Sequence, residues 1–200
     1  MKTGNGKTGR PVSFDREAAL EAAMLLFWER GFEGASMADL TRAMGLNPSS
    51  IYAAFGDKHA LFSLAVKRYM KIRAQYATKA LEEPTLEKVV RALFDNTVAF
   101  LTTPGHPPTC MTLAGAMGCS VDATPARDLM TEIRKRNQVA IRERLIKARK
   151  SGELSEDVNV DDYTRYLSTI ISGLSIQAAN GSTKAELKRT AQMALRNLGY

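Results

Sequence analysis

The side chains able to do chemistry in this chain are few, and their spacing separates one kind of chemistry from the rest. The only histidines are His59 and His106, and the only cysteines are Cys110 and Cys119. General acid–base catalysis needs paired carboxylates or a histidine with a partner, and the two histidines stand in unrelated settings, so no enzyme is expected. His106 and Cys110 lie four apart, but Pro107 and Pro108 intervene and no second ligand pair follows; no metal site and no cofactor are expected. What does cluster is hydrogen-bonding capacity without charge: Ser36, Asn47, Ser49, Ser50 and Tyr52 fall within one short stretch. Hydroxyls and an amide so grouped can donate to and accept from base edges, provided a helix presents them together.

The local sequence supplies that helix. Ser36 is an N-cap with Asp39 in the capping-box position, and Met37, Leu40 and Met44 keep helical spacing. Gly45 ends this first helix, because glycine takes a left-handed backbone without a Cβ penalty. Asn47 followed by Pro48 is a second N-cap with proline at N1, so a new helix starts almost at once. Two helices joined by about three residues make a helix-turn-helix. The second, Pro48 to about Phe55, puts Ile51 and Phe55 inward and Ser49, Ser50, Tyr52 and Ala53 outward. That outer face is short, polar and free of acids, so it can enter a major groove without repelling phosphate. A merely solvated surface helix is the competing account. Against it, a third helix opens at once with Asp57 as N-cap and Lys58 at N1, where an ammonium beside free amides can grip a phosphate. The candidate DNA contacts are therefore Ser36, Met37, Asn47, Pro48, Ser49, Ser50, Tyr52, Ala53 and Lys58.

With Phe27, Gly31, Phe32, Ser36, Gly45, Ser50, Tyr52, Phe55, Lys58 and Leu61 at fixed offsets, the stretch from about Phe14 to Tyr69 resembles the DNA-binding domain of the TetR family of transcriptional regulators. The resemblance covers a little over a quarter of the chain. It implies an all-α homodimer of about nine helices, whose helical body beyond the head binds a small inducer. The organisation expected is a basic arm over 1–13, a helix-turn-helix domain over 14–70, and a ligand-binding and dimerisation domain over 71–200. Two residues depart from the pattern: His59 stands where the family usually has an acid, and Ser49 where many members have glycine or another small residue. The second departure bears on which bases are preferred.

Charge and length agree with that class. The formal net charge is +7 over 200 residues, and residues 1–80 hold 12 cations against 7 acids while residues 81–200 hold 16 against 14. The excess sits in the DNA-binding half, which suits a polyanionic partner. Lys67, Arg68, Lys71, Arg73 and Lys79 follow with no acid between His59 and Leu81, and from Lys71 onward they read as a solvated face. The first thirteen residues are rich in glycine and cations, a composition of disorder. Gly4, Gly6 and Gly9 formally match a dinucleotide fingerprint, but no strand precedes them and no βαβ unit follows, so that match is rejected. Gly9, Arg10 and Pro11 resemble part of an AT-hook core, which puts Arg10 with the DNA contacts as a minor-groove residue, a plain solvated tail being the alternative. No apolar run is long enough to span a membrane and two cysteines are too few for a disulfide framework, so a cytoplasmic protein without membrane contact is expected.

Beyond the head the chain reads as helices throughout. Leu20, Ala23, Met24 and Phe27 form the inner stripe of the first, with Gly31 stopping it and Trp28 at its edge. Later helices run from Asp57 to about Leu81, from Thr85 to Leu101, after Pro107 and Pro108 to about Gly118, from Thr124 to Gly152, from about Asn159 to Ala179, and from the Thr183–Glu186 capping box onward. A dimer interface is expected from Leu167, Ile170, Ile171, Leu174 and Ala178 with Leu187, Ala191 and Leu195, with Gly173 permitting close approach; simple intramolecular core is the competing account. An inducer pocket is expected between the helix of Phe94 and Val98 and the segment carrying Cys110, Met111, Ala114 and Met117, whose soft or small side chains suit a pliable apolar site.

The reading is a repressor released from a palindromic double-stranded DNA operator by a small molecule. Two alternatives use the same fold: a regulator in which Cys110 or Cys119 senses an oxidant or electrophile, and a ligand-independent nucleoid-type protein. The first needs a cation near a thiol, and the local sequence offers none. The second has no use for so long a helical body.

Overall fold

The computed structural model describes residues 14–113 and 120–199. Arg10, Ala114, Met117, Gly118 and Cys119 lie outside that range. Among the described residues there are eight α-helices, one 3₁₀ turn and no strand: α1 Arg16–Gly34, α2 Met37–Met44, α3 Pro48–Phe55, α4 Lys58–Leu81, α5 Leu86–Leu101, the 3₁₀ turn Met111–Leu113, α6 Thr124–Lys150, α7 Val160–Ala179 and α8 Lys184–Asn197. Of the helix expected after Pro107 and Pro108, only the 3₁₀ turn falls among the described residues.

The boundaries follow from local chemistry. Asp15 caps α1 by accepting from the amides of Glu17 and Ala18 at 2.9 and 3.0 Å, and Gly31 interrupts it with φ 71°, a value that side chains with a Cβ rarely adopt. Thr85 caps α5, Asn159 accepts from both Asp161 and Asp162 to cap α7, and Thr183 with Glu186 forms a complete capping box on α8. Glu153 reaches back across the fold to accept from the Leu86 amide at 2.6 Å, capping α5 from the far end of α6.

Packing then joins head to body. α4 is one unbroken helix that lies against α1 in the head and against α5 and α6 in the body, so a domain boundary at residue 70 falls inside it. Arg68, read from sequence as one of a run of cations on this helix, is instead tied to Glu17 and Glu21 of α1. α7 and α8 pack on α5 and on each other. One continuous apolar core runs from Ala19 to Leu195. Trp28 corrects an expectation: it is only 1% exposed, enclosed by Tyr69, Phe100 and His106 at ring-centroid distances of 4.8, 5.5 and 4.6 Å. An indole of this size needs a partner for its N–H when buried, and it has one in the carbonyl of Thr109.

Candidate nucleic-acid interface

The head builds its outer face from two helices that cap themselves. Ser36 Oγ accepts from the Asp39 amide at 3.1 Å while Asp39 accepts from the Ser36 amide, closing the capping box that starts α2. The hydroxyl of Ser36 also donates to Asp39, and this bond holds the Asp39 carboxyl below its usual range. Gly45 takes φ 63°, and the amides of Gly45 and Leu46 close the C-terminus of α2 on the carbonyls of Arg42 and Thr41. Asn47 Oδ1 then accepts from the Ser50 amide and from Ser49 Oγ, both at 2.8 Å. With Pro48 at N1 the turn from α2 to α3 is fixed by hydrogen bonds and backbone preference alone.

This construction decides which side chains are free to read a ligand. Ile51 and Phe55 are buried, anchoring α3. Ser49, Ala53 and Pro48 are exposed, Ser50 and Met37 half-buried. Tyr52 is 52% exposed despite its aromatic ring. Ser36 and Asn47 are exposed too, but their side-chain oxygens accept from the amides of Asp39 and Ser50 in capping, so they fix the helix starts rather than offer free acceptors.

Two cations flank the face in ways that sequence spacing does not show. Arg16 donates to the Ala54 carbonyl at 3.3 Å and lies 4.8 Å from the Phe55 ring centre, so α1 supplies a guanidinium to the C-terminal end of α3. Arg16 was missed as a candidate; its only signal is being the first cation after an N-cap, which many surface residues share. Lys58, expected at a phosphate, has Nζ 4.4 Å above the Phe32 ring. Burial against that ring lowers its pKa, and the nearby Glu33 carboxylate opposes the shift. A cation so placed is held by the ring quadrupole and must turn outward to meet a phosphate. Phe14 packs on Phe55 with centroids 6.2 Å apart, so the described chain begins beside α3.

A helix-turn-helix with a carboxylate-free, Tyr-bearing outer face and flanking cations is what the comparisons with known proteins also point to. Residues 19–65 match the family described as bacterial regulatory proteins, tetR family, and residues 86–194 match the tetracyclin repressor-like C-terminal domain. The chain belongs to the TetR family of transcriptional regulators. It is 30% identical over 190 residues to the HTH-type transcriptional repressor ComR of Escherichia coli, covering 94% of this chain and 90% of that one. It is 32% identical over 188 residues to the repressor BdcR of the same organism, covering 93% and 90%. Among solved structures, a cysteine-substituted form of the TetR regulator CifR, complexed with 26-base-pair operator DNA, superposes with a TM-score of 0.89 at 34% identity, covering 94% of this chain and 98% of that one.

The body holds a cavity of about 80 Å³ between the 3₁₀ turn, α6 and α7. It shares Cys110 with the pocket expected from sequence, whereas Phe94, Val98 and Met111 are within 1% of full burial in the core. The electrostatics at Cys110 also differ from the sequence reading. Arg134, 24 residues on, comes close enough for its guanidinium and the thiol to interact, so the missing local cation is supplied by the fold. Cys110 Sγ lies 3.0 Å from Thr112 Oγ1 and 3.4 Å from the Tyr69 hydroxyl. Among the described residues no group of three or more His, Cys, Asp or Glu could hold a metal ion, and no helix is long and apolar enough to cross a membrane.

The proposed dimer residues fall into two sets. Leu167, Leu174, Ala178, Leu187, Ala191 and Leu195 are buried in the core of the single chain, so they have no surface left to give a partner. Ile170 and Ile171 are half-buried. The reason is that α5 and α8 already fill the inner side of α7.

Proposed function

We propose that the protein is a repressor that binds a palindromic operator as a homodimer, reading base edges with Ser49, Ser50, Tyr52 and Ala53 of α3, and that a small molecule in the body releases it. The observation that carries the DNA half is α3 itself: two buried anchors, a fixed entry turn and an uncharged outer face with an exposed tyrosine. Repressor names among relatives that cover nine-tenths of the chain support the direction of control.

The dimer would form on the outer stripe of α7, where Tyr166, Ile170, Gly173 and Ile176 recur at helical spacing, with Met193 of α8. Ile176 and Met193 are 53% and 59% exposed. A Cβ added at Gly173 would meet nothing within 4 Å, so a partner backbone can approach closely there. Two recognition helices carried by such a dimer suit half-sites about 34–36 Å apart, one duplex turn.

The test is selection of bound fragments from random duplex DNA by the purified chain, followed by mass measurement of the complex. The expected result is a twofold-symmetric motif holding two subunits or a multiple of two. Enrichment of no motif, or equal affinity for selected and random duplexes, overturns the proposal and favours a nucleoid-type protein.

A further inference from the structure

The cavity between the 3₁₀ turn, α6 and α7 has a polarity that the apolar pocket read from sequence does not. Arg134 is half-buried on its wall, and burial holds its guanidinium below the ordinary value. It donates to the carbonyl of Thr112 and to Thr131 Oγ1, which leaves further donors of its five-N–H fork unused. No ion pair among the described residues includes Arg134, and no Asp or Glu lines the cavity. A guanidinium partly withdrawn from water without a counter-charge is stabilised by any group that supplies one.

A second polar residue belongs to the same lining. Ser168 Oγ on α7 is buried and has no hydrogen-bond partner, although buried hydroxyls are nearly always satisfied. Ser168 of α7 and Arg134 of α6 both line the cavity, and Ile141 and Ile171 belong to the same lining. An unneutralised planar cation, an unmade hydroxyl bond and an apolar wall share one site.

We propose that this cavity binds a small organic monoanion of the carboxylate class, its oxygens taken by the Arg134 fork and Ser168 Oγ and its hydrocarbon part by Ile141 and Ile171. A carboxylate fits because the guanidinium offers two parallel donors in one plane. A dianion fits poorly, since Arg134 is the only cation among the described residues of the lining. A volume of about 80 Å³ corresponds to roughly six water-sized positions at 10–15 Å³ each, which suits a short or singly substituted acid. That this ligand is the effector rests on the regulator reading above. The route to the head would be short: Arg134 holds the Thr112 carbonyl, and the carbonyl of Thr109, three residues earlier, is held by Trp28 of α1. An anion competing for Arg134 loosens that clasp.

The experiment is calorimetric titration of the full-length protein, without DNA and in chloride-free buffer, with benzoate and propionate and with their uncharged amides. At least one carboxylate is expected to saturate at one per chain and to bind about tenfold or more tighter than its amide. Arg134→Gln should remove that preference and Ser168→Ala should weaken it. The charge comparison on the unaltered protein needs no variant, so a misfolded Arg134→Gln does not spare the proposal. No saturable binding, equal binding of acid and amide, or a preference that survives in folded Arg134→Gln overturns it. Operator binding is measured separately: a protein that takes carboxylate but selects no DNA motif refutes the regulator reading and leaves the anion site standing.

Discussion

The indole Nε1–H of Trp28 donates to the carbonyl of Thr109 at 2.8 Å, across 81 residues of sequence. This bond joins the first helix of the head to the segment leading to the cavity between the 3₁₀ turn, α6 and α7. Tyr69 of α4 reinforces it, its hydroxyl accepting from the Met111 amide at 3.3 Å. His106 and Phe100 enclose the indole from the body side, so α1 cannot shift without disturbing this cluster. The physical content of coupling between sites is such a chain of packed and hydrogen-bonded groups, provided that both ends bias it.

Trp28→Phe is expected to keep the ring stacking but strand the Thr109 carbonyl and leave a small void. The loss should be about 2 kcal/mol of stability, read as a lowered denaturant midpoint. In the folded variant the effector should release DNA less completely, because head and body are less firmly joined. Full release at wild-type effector concentration would show that the junction is structural only.

What was legible in the sequence was local. Ser36 with Asp39, Asn47 with Pro48, and Thr183 with Glu186 declare helix starts because a cap acts on amides two or three residues away; Gly45 declares a stop because its backbone conformation is a property of the residue itself. The inner and outer sides of α3 were readable for the same reason, since Ile51 and Phe55 fix which side of an eight-residue helix is inner. Contacts between distant elements were not readable. Arg134 at Cys110, Arg16 at Phe55 and Lys58 on Phe32 depend on how helices cross. The face of Leu167, Ile170, Ile171, Leu174 and Ala178 on α7 reads as one surface, and only the placement of α5, α6 and α8 shows that Leu167, Leu174 and Ala178 are buried within the chain while Tyr166 and Ile176 lie open.

Glu153 gives a pH dependence with a definite sign. Its carboxyl is held below the ordinary glutamate value of 4.5, first by the Leu86 amide and then by Ser151. A carboxyl depressed on folding contributes stability that is fully present above the unfolded value and is lost as pH falls through the folded one. Glu153→Gln should therefore be less stable than wild type at pH 7, with the gap in melting temperature closing once the pH is well below 4.5. A gap that stays constant on acidification would mean that charge plays no part in this cap.

The dimer face is tested by Ile176→Glu. Ile176 makes no contribution to the core, being 53% exposed, so the monomer should fold with an unchanged circular dichroism spectrum. Burying a carboxylate in an apolar interface is unfavourable by several kcal/mol, and sedimentation should show monomer at concentrations where wild type is dimeric. Operator affinity should fall with it, since half-site contacts no longer act together. An unaltered dimer would move the interface off this stripe.

Tyr52 and Lys58 divide sequence reading from charge. Tyr52→Ala removes an exposed ring from α3 without touching its anchors, so stability should hold while specific operator binding weakens by about 1–3 kcal/mol. Binding to random duplex should change little. Lys58→Met keeps the aliphatic contact with Phe32 but deletes the cation, and its effect should be general: operator and random duplex weaken alike, and the slope of log affinity against log salt falls by about one unit. Should the salt slope stay at its wild-type value, Lys58 remains on Phe32 in the complex and the phosphate contact belongs to another cation, with Arg16 at the end of α3 the next to replace. Should Tyr52→Ala weaken random and selected duplexes equally, the ring packs against the DNA backbone rather than a base edge, and specificity rests on Ser49, Ser50 and Ala53.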